Sequence, residues 1–204
     1  PSVLIYVTGN EIPEIGTPAG NHLARALHTA FRQADPTRFT TCALNGLVAG
    51  ADRMGEILCQ ATGMTLEQLA AMQQPAAGGE SAGSDVANGM AMVMQGPLAD
   101  AIATGPIMDE LLEEAAPATD ITGYNYLTAR HEKDLTRHPD RMILGTETFP
   151  ADIVRLWDIV ERNPQVLGDM TWAGYDYLGE AGCGIFHYDG GVNFSAHWPD
   201  RLAG

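Results

Sequence analysis

Basic residues are scarce in this chain of 204 residues. Lysine and arginine together number 11 against 26 aspartates and glutamates, which gives a formal net charge of −15 and a pI near 4.5. Nucleic acids and anionic membranes bind basic surfaces that neutralise phosphate, so both are excluded as expected partners. The partner classes that remain are neutral small molecules and proteins.

The sequence also lacks the marks of disulfide-linked, metal-binding and exported proteins. Its three cysteines, Cys42, Cys59 and Cys183, are odd in number and widely spaced, which argues against a disulfide framework or a zinc site. The histidines show no ligand spacing, so no metal site and no cofactor is predicted, although a cation requirement stays open. Neither a membrane-spanning apolar run nor a signal peptide is visible, and a cytoplasmic location is favoured.

What the chain does have is an alternation of strand and helix patterns. Its hydrophobic fraction of 45% is ample for a buried core. Apolar runs predict strands at 3–7, 39–44, 121–125, 142–146 and 166–171, and helical periodicity fills most of the intervals between them. Repeats of this kind form βαβ units, whose strands are parallel.

Residues 46–97 interrupt this alternation. They contain a short helical pattern at 66–72 and a run rich in glycine, alanine and serine at 75–84. We interpret the segment as a flexible or helical insertion in the loop that follows the second strand. A single helix is predicted after it, over 98–116, ending before Pro117.

Two architectures fit this pattern, an open doubly wound sheet and a (β/α)₈ barrel. A dinucleotide-binding sheet carries a glycine-rich turn after its first strand, and none of the five strands is followed by G-x-G-x-x-G or a phosphate loop. The α/β barrel is therefore favoured. A complete barrel has eight strands and about 250 residues, so the five strands here predict part of a TIM barrel.

Two glutamates follow the ends of predicted buried strands. Glu11 comes after the strand at 3–7, and Glu147 comes after the apolar run at 142–144. The carboxyl ends of parallel strands are where such folds bind ligands. Glycoside cleavage needs a pair of carboxylates, since one protonates the leaving oxygen while the other attacks or stabilises the sugar cation. We interpret the two glutamates as a candidate catalytic pair.

Several short motifs in one order resemble the catalytic barrel of glycoside hydrolase family two, and most closely its bacterial β-galactosidases. The motifs are residues 1–3 (PSV), 9–13 (GNEIP), 35–38 (DPTR), 120–126 (DITGYNY), 145–150 (GTETFP) and 176–180 (DYLGE). The resemblance implies that residues 1–204 are strands four to eight of a TIM-barrel catalytic domain. It also implies that the parent chain supplies the missing strands and flanking domains as partners of this segment.

The resemblance further implies a retaining exo-β-galactosidase that works by double displacement. Glu11 would be the general acid/base and Glu147 the nucleophile, with their carboxyl groups about 5 Å apart. Asn10 would hydrogen-bond the sugar 2-hydroxyl, and Tyr126 would donate its hydroxyl to Glu147. Trp172 would form the floor beneath the sugar ring.

Three alternatives stay open at the level of sequence. The same chemistry could act on another β-sugar, such as a glucuronide or a mannoside. A non-catalytic truncated barrel could instead bind sugar or assemble with other segments. A homo-oligomer is also compatible with the sequence.

Overall fold

Five parallel strands form one sheet in this chain. A computed structural model describes residues 2–72 and 95–172, and the strands within them pair in the order β1-β2-β3-β4-β5. Their bounds are β1 Ile5–Asn10, β2 Phe39–Leu44, β3 Ile121–Asn125, β4 Ile143–Thr148 and β5 Val166–Thr171.

Helices fill the connections between the strands. The α-helices within the described residues are α1 Pro18–Ala34, α2 Gly46–Ala49, α3 Met54–Thr62, α4 Leu66–Met72, α5 Gly96–Ala103, α6 Pro106–Leu112, α7 Thr128–Arg137 and α8 Ile153–Arg162. Short 3₁₀ turns lie at Ala51–Arg53, Ala116–Ala118 and Pro150–Asp152. Over these ranges, a helix with the length and apolarity needed to span a bilayer is not found.

The strand order favours one of the two predicted architectures, the barrel, over the doubly wound sheet. A doubly wound sheet reverses its direction at a switch point, whereas this sheet advances by one strand at every crossover. Right-handed crossovers that all advance in one direction place their helices on one face. The predicted α/β fold with five parallel strands is confirmed. The described pairings leave β1 and β5 as edges, so closure into a barrel stays a prediction.

The apolar core lies between the sheet and its helices. Alternate strand residues such as Cys42, Leu44 and Val166 pack there with Ile57 and Leu112 of the helices. The neighbouring strand residues point to the opposite face of the sheet. That face carries exposed apolar side chains, among them Phe39 of β2 and Leu167 of β5.

Local chemistry explains the first helix. Thr17 caps α1 because its Oγ1 accepts a hydrogen bond from the Gly20 backbone N–H at 3.1 Å. Pro18 occupies the first helical turn, where its missing N–H costs nothing. The helix ends at Ala34, directly before Asp35 and Pro36, because the residue before a proline disfavours the helical conformation.

The single helix predicted over 98–116 is wrong. The chain forms two helices there, α5 and α6, with a break between Ala103 and Pro106. Pro106 has no backbone N–H to donate and its ring clashes with the preceding turn, so it starts a new helix instead of continuing the old one.

Two strands extend further toward their carboxyl ends than their apolar runs predict. β1 spans Ile5–Asn10 in place of 3–7, and β4 spans Ile143–Thr148 in place of 142–146. Hydrogen bonds to the next strand continue after the apolar residues end, as with the Glu11 N–H, which donates to Ala43 O at 2.9 Å. The extension brings the polar residues of the site onto the sheet.

Within its described residues, the segment 46–97 forms α2, α3, α4 and the start of α5, which are joined by short turns. Leu47 and Ile57 are buried in the main core, so its first part packs against the sheet. The predicted run at 75–84 and the motif at 176–180 lie outside the described residues. The limits of the insertion stay predictions.

Candidate active site

The five residues singled out from the sequence lie at the carboxyl edge of the sheet. Asn10 ends β1 and Glu11 follows it, while Tyr126 follows β3, Glu147 lies in β4 and Trp172 follows β5. The strands are parallel, so their carboxyl ends share one edge. Separate segments of the chain are thereby brought to one edge of the fold.

Glu11 and Tyr126 have left-handed backbone conformations. Their φ angles are 49° and 57°, and among the described residues they alone combine a side chain other than glycine with positive φ. Each is held by a backbone hydrogen bond across the sheet, Glu11 N–H to Ala43 O at 2.9 Å and Tyr126 N–H to Glu147 O at 2.8 Å. The strand register is irregular at both places. Such conformations cost about 1 kcal/mol or more and cluster at functional sites.

A tyrosine holds the carboxylate of Glu147. The Tyr126 hydroxyl donates to Glu147 Oε2 at 3.0 Å, which is the contact that the family resemblance implies. The Tyr126 ring packs on Phe149, with 4.6 Å between ring centroids. The phenol therefore fixes one oxygen of the carboxylate and offers a proton donor to its negative charge.

Glu11 is held differently, by two asparagine amides. Its Oε1 accepts from Asn45 Nδ2 at 2.8 Å and from Asn125 Nδ2 at 3.1 Å. The same Asn125 nitrogen donates to Asn10 Oδ1 at 3.0 Å, and Asn125 Oδ1 accepts from the Thr146 hydroxyl at 2.6 Å. These bonds connect the ends of β1, β2, β3 and β4 into one polar network.

Three members of that network are absent from the sequence-predicted site: Asn45, Asn125 and Thr146. A signal was present in the sequence, because each polar residue stands at or near the end of a predicted strand. Nothing in the sequence shows, however, that their side chains meet Glu11. That meeting depends on which strands are neighbours and on how far each strand runs.

Two strands are locked together beside Glu147. The Thr148 hydroxyl of β4 donates to Asp169 Oδ1 of β5 at 2.8 Å. Burial raises the pKa of the Asp169 carboxyl. A Cβ at Gly145 would overlap Asp169 Oδ1, so a larger residue at this position would displace the carboxylate from between the two strands.

A buried cluster of charged side chains connects β3 to helix α7. The Tyr124 hydroxyl donates to Asp134 of α7, and the same carboxylate pairs with Arg130 Nε at 2.9 Å and Arg141 Nη1 at 2.6 Å. Burial, together with the Asp134 charge, raises the pKa of Tyr124 and keeps the phenol protonated. The strand is thus bound to its helix directly before Asn125 and Tyr126.

Trp172 stands at the end of β5 with 49% of its surface exposed. Its backbone N–H donates to Thr148 O at 2.8 Å, which fixes its main chain beside β4. An exposed indole beside a polar strand edge can stack on a sugar ring. That use of Trp172 stays a prediction.

Within residues 2–72 and 95–172, no three or more histidine, cysteine, aspartate or glutamate side chains are grouped so that they could hold a metal ion. The polar side chains described at the site are the carboxylates of Glu11 and Glu147, the amides of Asn10, Asn45 and Asn125, and the hydroxyls of Tyr126 and Thr146. Two carboxylates with different hydrogen-bond donors on one sheet edge can divide acid/base and nucleophilic roles.

No protein-family model matches this chain, and no curated protein matches it either. Solved structures do match. One is a glycosyl hydrolase family 2 member from Bacteroides cellulosilyticus, with 24% identity and a TM-score of 0.53 over 90% of this chain. Another structure of such a member from that organism, from microfluidic crystals, gives 23% identity and a TM-score of 0.51 over 87%.

The fold is similar to part of a glycosyl hydrolase family 2 protein. At these identities the likeness concerns the fold. The chain spans 17% and 15% of the length of the two solved structures. The α/β fold with five parallel strands therefore has support from structure, while closure into a TIM barrel, the β-galactosidase activity and the residue roles stay predictions.

Proposed function

We propose that this chain carries the catalytic carboxylates of a retaining exo-β-glycosidase that acts on terminal β-galactosides. The observation that carries the proposal is the arrangement of Glu11 and Glu147, which stand at one sheet edge with different hydrogen-bond donors. The fold similarity to glycosyl hydrolase family 2 members supports a glycoside hydrolase. The site would be completed by the remaining strands of a TIM barrel in a longer protein.

In the first step Glu147 acts as the nucleophile. Its carboxylate attacks the anomeric carbon while the bond to the leaving oxygen breaks, and Glu11 gives that oxygen a proton. A β-glycoside becomes an α-linked glycosyl ester on Glu147. The hydroxyl of Tyr126 keeps the attacking carboxylate oriented before the step and can stabilise it again as the ester forms and breaks.

In the second step Glu11 acts as the base. It takes a proton from water as the water oxygen attacks the anomeric carbon, and the ester bond to Glu147 breaks. Two inversions return the β-configuration. Asn10 would bind the sugar 2-hydroxyl, a contact that strengthens as the oxocarbenium ion develops, and Trp172 would lie beneath the ring.

The test uses the longest natural protein that contains this chain, assayed on a panel of nitrophenyl β-glycosides. Galactosides should be cleaved fastest, with net retention of configuration. Glu147→Gln should abolish turnover of every substrate, because no glycosyl ester can form. Glu11→Gln should spare formation of the ester from dinitrophenyl galactoside, whose leaving group needs no proton.

Azide distinguishes the two roles. In Glu11→Gln, added azide should attack the trapped ester and release a β-galactosyl azide, while Glu147→Gln should give no β-azide. Glu14→Gln is a matched control, because Glu14 is an exposed acid three positions further along the chain. Faster cleavage of a glucuronide or a mannoside would show that the substrate is that β-sugar and not a galactoside. Sugar binding without turnover would favour the non-catalytic alternative over the enzyme.

A further inference from the structure

We propose that Asn45 and Asn125 are positioning residues that hold one oxygen of Glu11 and leave the other as the oxygen that exchanges the proton. The held atom is Oε1, and the exchanging atom is Oε2. The inference rests on the acid/base role proposed for Glu11. It concerns which atom of that carboxyl does the chemistry and which residues determine this.

The orientation of Asn45 is fixed by a helix. Its Oδ1 accepts from the Leu47 N–H at 3.0 Å and the Val48 N–H at 3.4 Å, so it caps the start of α2. The amide nitrogen must then face the other way, where it meets Glu11 Oε1 at 2.8 Å. A flipped amide would place NH₂ against two N–H donors and a carbonyl oxygen against the carboxylate.

The orientation of Asn125 is fixed by three neighbours. The Thr146 hydroxyl donates to its Oδ1 at 2.6 Å, and its Nδ2 donates to Asn10 Oδ1 at 3.0 Å as well as to Glu11 Oε1 at 3.1 Å. Asn125 is 0% exposed and Asn45 is 6% exposed, so water does not substitute readily for either donor. Both amides are therefore set in place before any ligand binds.

Two N–H donors on one oxygen make the two oxygens of Glu11 unequal. A proton on Oε1 would displace a donor and leave a buried N–H unpaired, which is unfavourable, so the proton resides on Oε2. Oε1 can accept from both amides in either protonation state, as the carbonyl oxygen of the acid or as one oxygen of the carboxylate. Asn45 and Asn125 can therefore hold Oε1 in both steps. Oε2 gives its proton to the leaving oxygen in the first step and takes one from water in the second.

The main test replaces Asn45 by aspartate. Asn45→Asp keeps an oxygen that can cap α2, but removes the N–H donor and sets a carboxylate against Oε1. We expect kcat/KM for an alkyl β-galactoside, which needs a protonated leaving group, to fall on the order of 10²-fold. For dinitrophenyl galactoside, which does not, we expect a change of about threefold or less in the glycosylation step.

A second variant and a control keep the test independent of folding. Asn45→Ser retains a capping oxygen without adding charge, and should show the same dependence on the leaving group. Asn163→Asp is the matched control, because Asn163 Nδ2 donates to Ile159 O at 2.8 Å at the end of α8. It should lose stability while the ratio of the two kcat/KM values is unchanged.

A double-mutant cycle decides whether Asn45 acts through Glu11. In a Glu11→Gln background, Asn45→Asp should have little further effect on the alkyl galactoside, since the group it positions is gone. Equal losses on both substrates, or full additivity with Glu11→Gln, would overturn the inference and leave the acid/base role intact. Absence of turnover, or of a leaving-group effect in Glu11→Gln, would overturn the proposed function and this inference with it.

Discussion

Glu11 and Tyr126 share a backbone conformation that residues with a Cβ rarely adopt. Glycine would relieve the strain at φ values of 49° and 57°, but would remove the side chain. Each residue follows a strand whose hydrogen bonding to its neighbour continues up to it, so the sheet holds the strained turn in place. Strained backbone of this kind is expected where the side chain is required for function at that position.

At this scale Tyr126→Phe should separate catalysis from stability. The variant keeps the ring contact with Phe149 and loses the donor to Glu147 Oε2. We expect kcat to fall on the order of 10²-fold, as for other donors to a reacting charge, and stability to change by about 1 kcal/mol or less. Tyr6→Phe is the control, because its hydroxyl donates to Asp35 at 3.0 Å, away from the site; an equal loss of kcat in both variants would contradict the role.

His131 should make the fold sensitive to acid. The residue is 0% exposed, its Nδ1 donates to Thr128 O at 3.1 Å, and burial lowers its pKa from 6.5 to about 4. Between these values the unfolded chain binds a proton that the folded chain does not. The free energy of unfolding should therefore fall as pH drops from about 6.5 toward 4, by up to about 3 kcal/mol from this group.

The measurement is urea unfolding at several pH values for the wild type and His131→Gln. The variant should show a weaker decline of unfolding free energy in this window, whatever its stability at pH 7. His22→Gln, an exposed histidine of α1, should leave the decline unchanged. Parallel curves for wild type and His131→Gln would show that His131 does not cause the acid sensitivity.

At the scale of elements, α7 depends on its buried ion cluster. Asp134 is 0% exposed and pairs with Arg130 and Arg141 while it accepts from Tyr124. Asp134→Asn removes the carboxylate partner of Arg141 and leaves Arg130 with Asp109 alone, so we expect a loss near the lower end of the range of about 3–5 kcal/mol for breaking a buried pair. Chemical denaturation should show this loss as a lower midpoint.

Asp158→Asn provides the comparison within a neighbouring helix. Asp158 pairs with Arg162 on the exposed surface of α8, with both side chains 61% exposed. Exposed pairs contribute about 0–1 kcal/mol, so this variant should be nearly neutral. If the two substitutions lower the free energy of unfolding by similar amounts, burial does not explain how much the Asp134 cluster contributes to stability.

At the scale of the whole molecule, the sheet face opposite the core helices is apolar where the strands begin. Val3, Leu4, Phe39 and Leu167 are exposed and line one open depression of about 460 Å³. Their neighbours in the strands, such as Thr40 and Val166, point into the helix side and are buried. An exposed apolar face of this kind favours association with further protein.

The chain produced alone should therefore self-associate. Light scattering should give a mass that rises with concentration, and Phe39→Ser combined with Leu167→Ser should reduce that rise. Leu66→Ser is the control, since Leu66 is an exposed leucine of α4. A concentration-independent monomer for the unmodified chain would contradict the expectation.

The sequence by itself determined the elements that depend on neighbours along the chain. The bounds of β2, β3, β5 and α4 agree with their predicted ranges, because apolar runs and helical spacing report local burial. It also pointed to the edge where Glu11 and Glu147 stand, because parallel strands bring their carboxyl ends together. The single helix predicted over 98–116 was wrong, because Pro106 starts a new helix inside that range.

Only the tertiary structure decided how the site is held together. Asn45, Asn125 and Thr146 reach the same network from three segments of the chain, and no local pattern specifies that their side chains meet. The left-handed turns at Glu11 and Tyr126 likewise follow from hydrogen bonds to neighbouring strands. Such contacts are set by the order and register of the sheet, which arise from packing between segments far apart in sequence.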